Sequence, residues 1–231
     1  MYRVSRRPLS RLLGATVEEL DDYFGELAPL HAALRAEAGP LPSAGALIQA
    51  PLLYVAVRHL KPGRVIETGI SSGYSARLIL EALERNGTGH LDSIGIDVFA
   101  LAASTGGVAP ELAGRRVGWL VPEHLKKFWS LHLGRSEELL PGLSRGGRVD
   151  LFLHDSLHQY ATMQAEYEWA WAQMATGGWL FSHDVHANRA WPDFVARHSL
   201  VGDVEMDHDL GAVRLPSHPA GEAGVAAVGA G

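Results

Sequence analysis

Between residues 64 and 184 the chain alternates short apolar segments with segments of helical length and periodicity. This alternation constrains the fold more than any other feature, because strands that alternate with helices of about 10–15 residues form mostly parallel α/β sheets. The apolar segments predicted as strands are 64–68, 93–97, 129–134, 149–155 and 179–184. The segments predicted as helices between them are 74–87, 136–143 and 159–175.

Two further strands are predicted at 202–207 and 211–216, and the short connection between them indicates a hairpin. Pro192 fits the first turn of a helix through His198, because a proline there lacks only an N–H that has no helical partner. The predicted fold class is therefore α/β, with a Rossmann-like, mostly parallel seven-stranded sheet, helices on both faces and an antiparallel terminal hairpin. This domain is predicted to occupy residues 45–215.

Residues 1–44 are predicted to form an N-terminal arm and a helix. Thr16 and Glu19 have the spacing of a capping box, which predicts a helix through about Arg35. Another helix is predicted over 51–60. The arm is expected to be solvated because it carries four arginines: Arg3, Arg6, Arg7 and Arg11.

Composition excludes several classes of protein. The chain has 231 residues, 47% of them hydrophobic, which is enough for one large core. The absence of cysteine excludes disulfide scaffolds, zinc ribbons and thiolate catalysis. A formal charge of −6 argues against a nucleic-acid groove, which needs a basic stripe.

The apolar residues also indicate where such a chain resides. No apolar run reaches the roughly 18 residues that a membrane-spanning helix needs, so no membrane partner is expected. No apolar signal core follows the N-terminal arginines, which predicts a cytoplasmic protein. The last segment, 216–231, consists mostly of small residues and is predicted to be a disordered tail, because it cannot bury enough surface to offset its ordering entropy.

The segment 67–75, ETGISSGYS, is the first strand end that is rich in functional groups. Its glycines let the backbone turn tightly, and the helix that follows offers free N–H groups to an anion. The dinucleotide-binding fingerprint requires glycine where this chain has Ser71 and Tyr74. The E-x-G-x-x-x-G spacing fits a nucleoside that has no pyrophosphate.

Polar side chains at the next two strand ends suit the same kind of ligand. Asp97 closes the second predicted strand, where a carboxylate can accept two hydrogen bonds from a ribose diol. Ser136 follows the third strand, where its hydroxyl can meet the edge of a purine. The alternative interpretations are a turn or N-cap aspartate and a serine helix cap, since both residue types are common at such positions.

Two neighbouring strand ends bring imidazole and carboxylate groups together. Because adjacent parallel strands lie about 4.8 Å apart, side chains at both carboxyl ends can share one ion. Oxygen and imidazole ligands suit a divalent metal. The alternative is that the aspartates cap helices while the histidines face solvent. The residues concerned are His154, Asp155, His158, His183, Asp184 and His186.

These motifs resemble those of class I S-adenosylmethionine-dependent methyltransferases. The resemblance covers residues 45–215 and is strongest to the metal-dependent branch typified by catechol O-methyltransferase and by bacterial natural-product O-methyltransferases. It implies that S-adenosylmethionine is the cofactor, with its methionine part at the glycine loop, its ribose at Asp97 and its adenine at Ser136. The implied cofactor-binding residues are Glu67, Gly69, Ser72, Gly73, Ser75, Asp97 and Ser136.

The resemblance also implies a metal centre. Asp155, His183 and Asp184 fall on the metal-ligand positions of that branch, and His158 falls on the position of a lysine that acts as general base. Asp155 and His158 are therefore the predicted catalytic residues. Because His183 replaces a carboxylate, an N/O site here suits Mn, Fe, Ni or Zn better than Mg²⁺.

The implied function is methyl transfer to a hydroxyl of a small-molecule acceptor of the natural-product type. Because His183 replaces a carboxylate, one alternative function is that of a catalytically silent partner subunit that binds S-adenosylmethionine. A second alternative is a metal-dependent hydrolase that uses the His/Asp cluster. A nicotinamide-dependent oxidoreductase is disfavoured because the loop lacks two glycines of its fingerprint. Assembly as a homodimer is also left open.

Residues 98–128 do not fit the alternation and are long for a connection between a helix and a strand. They are predicted to form a lid that contacts the acceptor, with a plain insertion as the alternative. The apolar patch over 119–122 would otherwise be an exposed apolar stretch, which supports the lid.

Overall fold

The computed structural model describes residues 6–39, 44–97, 114–200, 204–207 and 209–216. Most of the predicted lid (98–113) and nearly all of the predicted tail (217–231) lie outside these ranges. The strands are β1 (Arg64–Thr68), β2 (His90–Gly95), β3 (Trp129–Leu133), β4 (Val149–His154), β5 (Met174–Ser182), β6 (Val204–Asp207) and β7 (Leu210–Arg214). The α-helices are α1 (Arg6–Leu13), α2 (Val17–Ala38), α3 (Ala44–Leu60), α4 (Tyr74–Asn86), α5 (Ser136–Leu143), α6 (Tyr160–Gln173) and α7 (Ala190–Arg197).

The seven strands form one sheet in the order β3-β2-β1-β4-β5-β7-β6. The first five strands of the chain run parallel to one another, whereas β7 runs antiparallel to both β5 and β6. The predicted fold class is confirmed, including the terminal hairpin. The strand order reverses between β1 and β4, so their carboxyl ends border the crevice in which open α/β sheets bind ligands.

Helices cover both faces of the sheet, which is why its central strands are almost continuously apolar. Consecutive residues of a strand point to opposite faces, so Val65 and Ile66 enter different cores. One core packs α2, α3 and α4 against the sheet, and the other packs α5, α6 and α7. Within the described ranges, no helix is long and apolar enough to cross a membrane.

Residues 6–13 of the predicted arm form the helix α1, and the prediction that the arm is solvated is confirmed only in part, because Arg7 and Arg11 are exposed but the helix also packs against the fold. Leu9 and Leu13 are buried on the inner side of α1. Arg6 Nε lies 2.8 Å from Asp21 Oδ1, and its guanidinium packs over a phenylalanine ring of α2. The arginines alone favoured a solvated arm, whereas the leucines between them give this segment an apolar face.

The two helices that follow α1 match the predictions in part. At the start of α2 the Thr16 hydroxyl accepts a hydrogen bond from the Glu19 N–H, and the Glu19 carboxylate accepts one from the Thr16 N–H, as predicted. The predicted start of α3 was wrong, because the helix begins at Ala44 and contains Pro51. An internal proline costs about 3 kcal/mol. Packing of α3 between α2 and α4 offsets that cost.

The apolar patch over 119–122, which was cited in support of a lid, is not left exposed. Leu120 and Val121 are buried in the core. The N–H groups of Gly118 and Leu120 donate to the carbonyls of Ser71 and Ser72, so this segment packs on the glycine loop. A lid stays a prediction for the remainder of the segment.

Candidate active site

A cavity of about 370 Å³ opens at the carboxyl ends of β1, β2 and β4. Its lining combines large aliphatic side chains with hydroxyls, two carboxylates, one guanidinium group and glycine backbone. That mixture suits a flat, partly polar ligand such as a nucleoside. The lining residues that matter most below are Gly69, Ile70, Ile96, Ser136, Asp155 and Leu157.

A second cavity of about 300 Å³ lies at the opposite end of the sheet, beside the amino ends of β4 and β5. Two of its polar side chains, Asp150 and Arg214, are engaged in hydrogen bonds to the backbone. Asp150 accepts hydrogen bonds from the N–H groups of Gly63 and Arg64, and Arg214 donates to the carbonyl of Gly177. The first cavity is the candidate site, because it lies at the crevice in which open α/β sheets bind ligands.

Gly69 must be glycine because of the protein backbone rather than because of a ligand. Its φ is +90°, and a Cβ built on it would lie 1.8 Å from the carbonyl oxygen of Asp155. From the sequence, the glycines of this loop were expected to allow a tight turn next to a bound ligand. The contact that excludes a side chain is the crossing of the β4 loop over the β1 loop.

Glu67 lies beneath the glycine loop and is fully buried. It accepts hydrogen bonds from the hydroxyls of Ser75 and Ser93, and the latter at 2.8 Å. Burial raises the pKa of Glu67 to about 7, although both hydroxyls favour its charged form, and the charge of Asp155 raises it further. Glu67 and Ser75 thus support the loop from below and do not line the cavity.

The other predicted cofactor residues are distributed around the same loop. Ser72 and Gly73 face the segment around Gly118, which covers that side of the loop. Ser136 lines the cavity at the start of α5. Asp97 lies two residues beyond the end of β2, is half-buried, and is outside the cavity lining that the structure describes.

The sequence analysis missed the apolar walls of the cavity. Ile70, Ile94 and Ile96 come from the ends of β1 and β2, and Leu157 comes from the loop after β4. Ile96 is 48% exposed and Leu157 is 51% exposed, which is unusual for large aliphatic side chains at a concave site. An apolar run that extends past a strand end was the available signal.

The carboxyl ends of β4 and β5 carry a compact cluster of Asp155, His158, His183 and Asp184. Asp155 Oδ1 lies 2.8 Å from His183 Nδ1 and 3.8 Å from His158 Nε2. Asp184 faces the other nitrogens of both rings, at 3.3 Å from His158 Nδ1 and 3.5 Å from His183 Nε2. Each imidazole therefore lies between two carboxylates. The carboxylate of Asp155, which also lines the cavity, is called the inner one, and that of Asp184 is called the outer one.

The two imidazoles of this cluster differ in their affinity for protons. Burial lowers the pKa of His158, and the carboxylates of Asp184 and Asp155 offset this only in part. Burial also acts against a charge on His183, but its contact with Asp155 and the charge of Asp184 raise its pKa above the ordinary value. The lowered pKa of His158 favours its neutral form, which can accept a proton or bind an ion.

The other two histidines of the predicted set lie apart from this cluster. His154 is fully buried in β4, and its Nδ1 lies 2.6 Å from a carboxylate oxygen of Glu166. Its ring packs edge-on against His158, with centroids 5.4 Å apart. His186 is exposed in the loop after β5. Four of the six predicted groups are thus brought together.

Comparisons with known proteins agree with this geometry. A family model described as a methyltransferase domain matches residues 66–185, which is more than half of the chain. No curated protein matches the chain significantly in sequence. The matched segment begins inside β1 and ends just after β5, so it contains both the cavity and the cluster.

Several solved structures share the fold. One is the O-methyltransferase TomG from Streptomyces achromogenes in complex with SAM, with 19% identity, coverage of 83% of this chain and 89% of that chain, and a TM-score of 0.54. Another is an O-methyltransferase from Bacillus cereus in complex with SAH, with 14% identity, coverage of 91% and 96%, and a TM-score of 0.56. A third is the SAH-bound methyltransferase PaMTH1 of Podospora anserina, with 16% identity, coverage of 81% and 86%, and a TM-score of 0.56.

Proposed function

The chain belongs to the methyltransferase-domain family, and from that premise we propose that it transfers a methyl group from S-adenosylmethionine to a hydroxyl of a small molecule. One observation carries the proposal: Asp155 both lines the cavity and belongs to the His/Asp cluster. Methyl donor and acceptor must meet in line at about 3–3.5 Å. A cofactor cavity and a proton-accepting cluster that share a residue meet this requirement.

The cavity supports the proposed binding of the nucleoside. Backbone from Gly69 to Ser71 and the hydroxyl of Ser136 provide polar contacts, while Ile96 and Leu157 provide apolar surface for a purine. Glu67, Ser72, Gly73 and Ser75 are proposed to hold the loop in the conformation that binds the methionine part. Asp97 is proposed to reach the ribose. The O-methyltransferases TomG and that of Bacillus cereus, with SAM and SAH bound, support this assignment of the cofactor.

The cluster fits a divalent metal ion. Asp155, His158 and His183 each offer one ligand atom, and these atoms lie within 4.8 Å of one another. Among the described residues, His183 Nδ1 and His158 Nε2 are buried without a hydrogen-bond partner, although both lie near the Asp155 carboxylate. We propose these three residues as ligands, with Asp184 at the outer nitrogens to orient the rings.

This ligand set differs from the predicted one, in which Asp184 binds the metal and His158 acts as base. A bound ion would lower the pKa of an acceptor hydroxyl, and an N/O set suits Mn, Fe, Ni or Zn better than Mg²⁺. His158 Nε2 cannot bind an ion and take a proton at once. Its lowered pKa leaves it unprotonated at neutral pH, which either role requires.

Calorimetry on the purified protein tests the cofactor assignment. S-adenosylmethionine and S-adenosylhomocysteine should both bind, and Ser136→Trp should weaken both because its side chain would fill the cavity. Glu168 on α6 pairs with Arg197 and His198 and is not part of the cavity lining, so Glu168→Gln is the matched control. Failure of the wild-type chain to bind either nucleoside would overturn the proposal and point to the hydrolase alternative.

Methyl transfer is tested with labelled S-adenosylmethionine and a panel of hydroxylated natural products, with and without divalent metals. Transfer should be stimulated by metal and lost in Asp155→Ala and His183→Ala, but kept in His90→Ala, which lies at the opposite end of the sheet. If His158 is a ligand, His158→Ala weakens metal binding. If it is the base, metal binding is retained and turnover falls by about 10²–10⁴-fold. Nucleoside binding without any transfer would favour the silent partner subunit.

A further inference from the structure

Glu166 on α6 is a buried carboxylate that has no role in the scheme above. Its side chain is only 2% exposed. One oxygen accepts hydrogen bonds from Thr68 Oγ1 at 2.5 Å and from His154 Nδ1 at 2.6 Å. The other accepts a hydrogen bond from Ser156 Oγ at 2.7 Å. A carboxylate has about four acceptor positions, and Glu166 uses three of them on residues from two neighbouring strand ends.

Each of these donors is connected to a different part of the site. Thr68 immediately precedes Gly69, where the glycine loop begins. Ser156 lines the cavity. His154 packs edge-on against His158 of the cluster. Glu166 therefore holds the ends of β1 and β4 together at the crevice, although it is not part of the described cavity lining or of the cluster.

Because Glu166 is charged, its three hydrogen bonds all run from the neighbouring donors to its carboxylate. Burial by itself would raise the pKa of Glu166, but the hydrogen bond and charge of His154, with hydroxyls of Ser136 and Thr68, hold the pKa below its ordinary value. At neutral pH the carboxylate is ionised and can only accept hydrogen bonds. The hydroxyls of Thr68 and Ser156 must then point toward it, which fixes their rotamers.

We infer that Glu166 is a positioning residue, which sets the loop over 155–158 by binding Thr68, His154 and Ser156. That loop carries Asp155 and Ser156 into the cavity and His158 into the cluster. The inference rests on the proposed function. A residue that serves only to stabilise the fold would not change ligand affinity in protein that is already folded, and this difference makes the inference testable.

Three substitutions of Glu166 distinguish the effect of its hydrogen-bond geometry on ligand binding from the effect of its charge. Glu166→Leu removes every acceptor, and Glu166→Asp keeps the charge but is one methylene too short to reach all three donors. Both should weaken S-adenosylhomocysteine binding by about tenfold or more, the scale typical of residues that orient a binding group. Glu166→Gln should stay within about threefold of wild type, because its carbonyl can serve Thr68 and His154 while the Ser156 hydroxyl turns to accept from its amide.

Gln164→Met is the matched control on the same helix. Gln164 is buried and hydrogen-bonds to the Ala190 carbonyl and to Arg197, so its loss loosens α6 at its contact with α7 rather than at the crevice. Affinities are measured by calorimetry at a temperature where circular dichroism shows every variant folded. The control should bind like wild type even where its melting temperature falls as far as that of the Glu166 variants.

The outcomes are distinguishable. Unchanged affinity in Glu166→Asp and Glu166→Leu overturns the inference, as does an equal loss in Gln164→Met. A large loss in Glu166→Gln with normal binding in Glu166→Asp also overturns it, because charge rather than geometry would then matter. Should Glu166→Leu fail to fold, the Asp and Gln variants decide. Absence of binding in wild type instead contradicts the proposed function.

Discussion

Replacing Glu67 with glutamine should remove a pH dependence from the stability of the fold. Glu67 is fully buried between β1 and the glycine loop, and its carboxyl group accepts hydrogen bonds from the hydroxyls of Ser75 and Ser93. Burial raises its pKa from 4.5 in an exposed glutamate to about 7 in the folded protein. The folded state therefore binds a proton that the unfolded state releases more easily.

The sign and the size of the effect follow from the two pKa values. A raised pKa in the folded state contributes stability that is fully present below pH 4.5 and is lost as the pH rises through 7. The difference between the two values corresponds to about 3 kcal/mol of unfolding free energy. Glutamine has the shape of the protonated acid and does not titrate, so it should not lose this contribution.

Urea unfolding of wild type and Glu67→Gln between pH 4.5 and 8 measures this effect. The unfolding free energy of the variant, minus that of wild type, should rise by about 3 kcal/mol over this interval and then level off. Other titrating groups occur in both proteins and cancel in the difference. A difference that is flat with pH would falsify the assignment of a raised pKa to Glu67.

Other substitutions test separate features of the structure by urea unfolding. Gly69→Ala should lower the unfolding free energy by about 3 kcal/mol or more, because its Cβ would clash with the backbone of Asp155. Gly87 has φ +70° and no neighbouring atom within 4 Å of such a Cβ, so Gly87→Ala should lower it by only about 1 kcal/mol. Equal losses would contradict the close approach at Gly69. Burial lowers the pKa of His31 to about 4, so the unfolding free energy of wild type, minus that of His31→Leu, should fall by about 3 kcal/mol between pH 6.5 and 4, because the unfolded chain is protonated first; parallel pH profiles would count against this. Thr16→Ala should cost about 1 kcal/mol by breaking the capping box, and no loss would mean that the box is not formed in solution.

The alternation of strands and helices was predictable because it is encoded locally. β1 (Arg64–Thr68) and α5 (Ser136–Leu143) have the predicted bounds. Among the strands, the least accurate boundary is the start of β5, which was predicted at Trp179 and lies at Met174. The glycines at 177 and 178 suggested a loop, but the β4–β5 pairing shifts register before Leu151, and this irregularity accommodates them inside the strand.

Elements that depend on contacts between distant segments were harder to predict. Pro51 inside α3 is tolerated because the helix is buried between two others, and no local signal reports that burial. Glu166 is a similar case. On α6 it looks like one acid of a polar face, and only the fold shows that Thr68 and His154 converge on it. A buried acid is identified by its partners, which lie far away in sequence.

The register of three strands explains why the cavity and the cluster meet. Thr68 pairs with His154, and His154 pairs with Ser182, so the three residues that follow them lie in one row across the carboxyl edge of the sheet. Those residues are Gly69, Asp155 and His183. Spacing of about 4.8 Å between strands lets the middle residue touch both neighbours. Asp155 therefore excludes a side chain at position 69 on one side and contacts the imidazole of His183 on the other.

This row also limits what can be predicted from the sequence about the cluster. That Asp155 and His183 share one edge follows from the order and register of the strands. Which nitrogen of each ring faces Asp155 depends on how the histidine side chains are rotated. That rotation is set by the packing of His158 against His154 and by the backbone at Asp184, which has φ +51°. The inner nitrogens are His158 Nε2 and His183 Nδ1. The choice of His158 over Asp184 as the third proposed ligand thus rests on tertiary packing and not on the spacing of the motif.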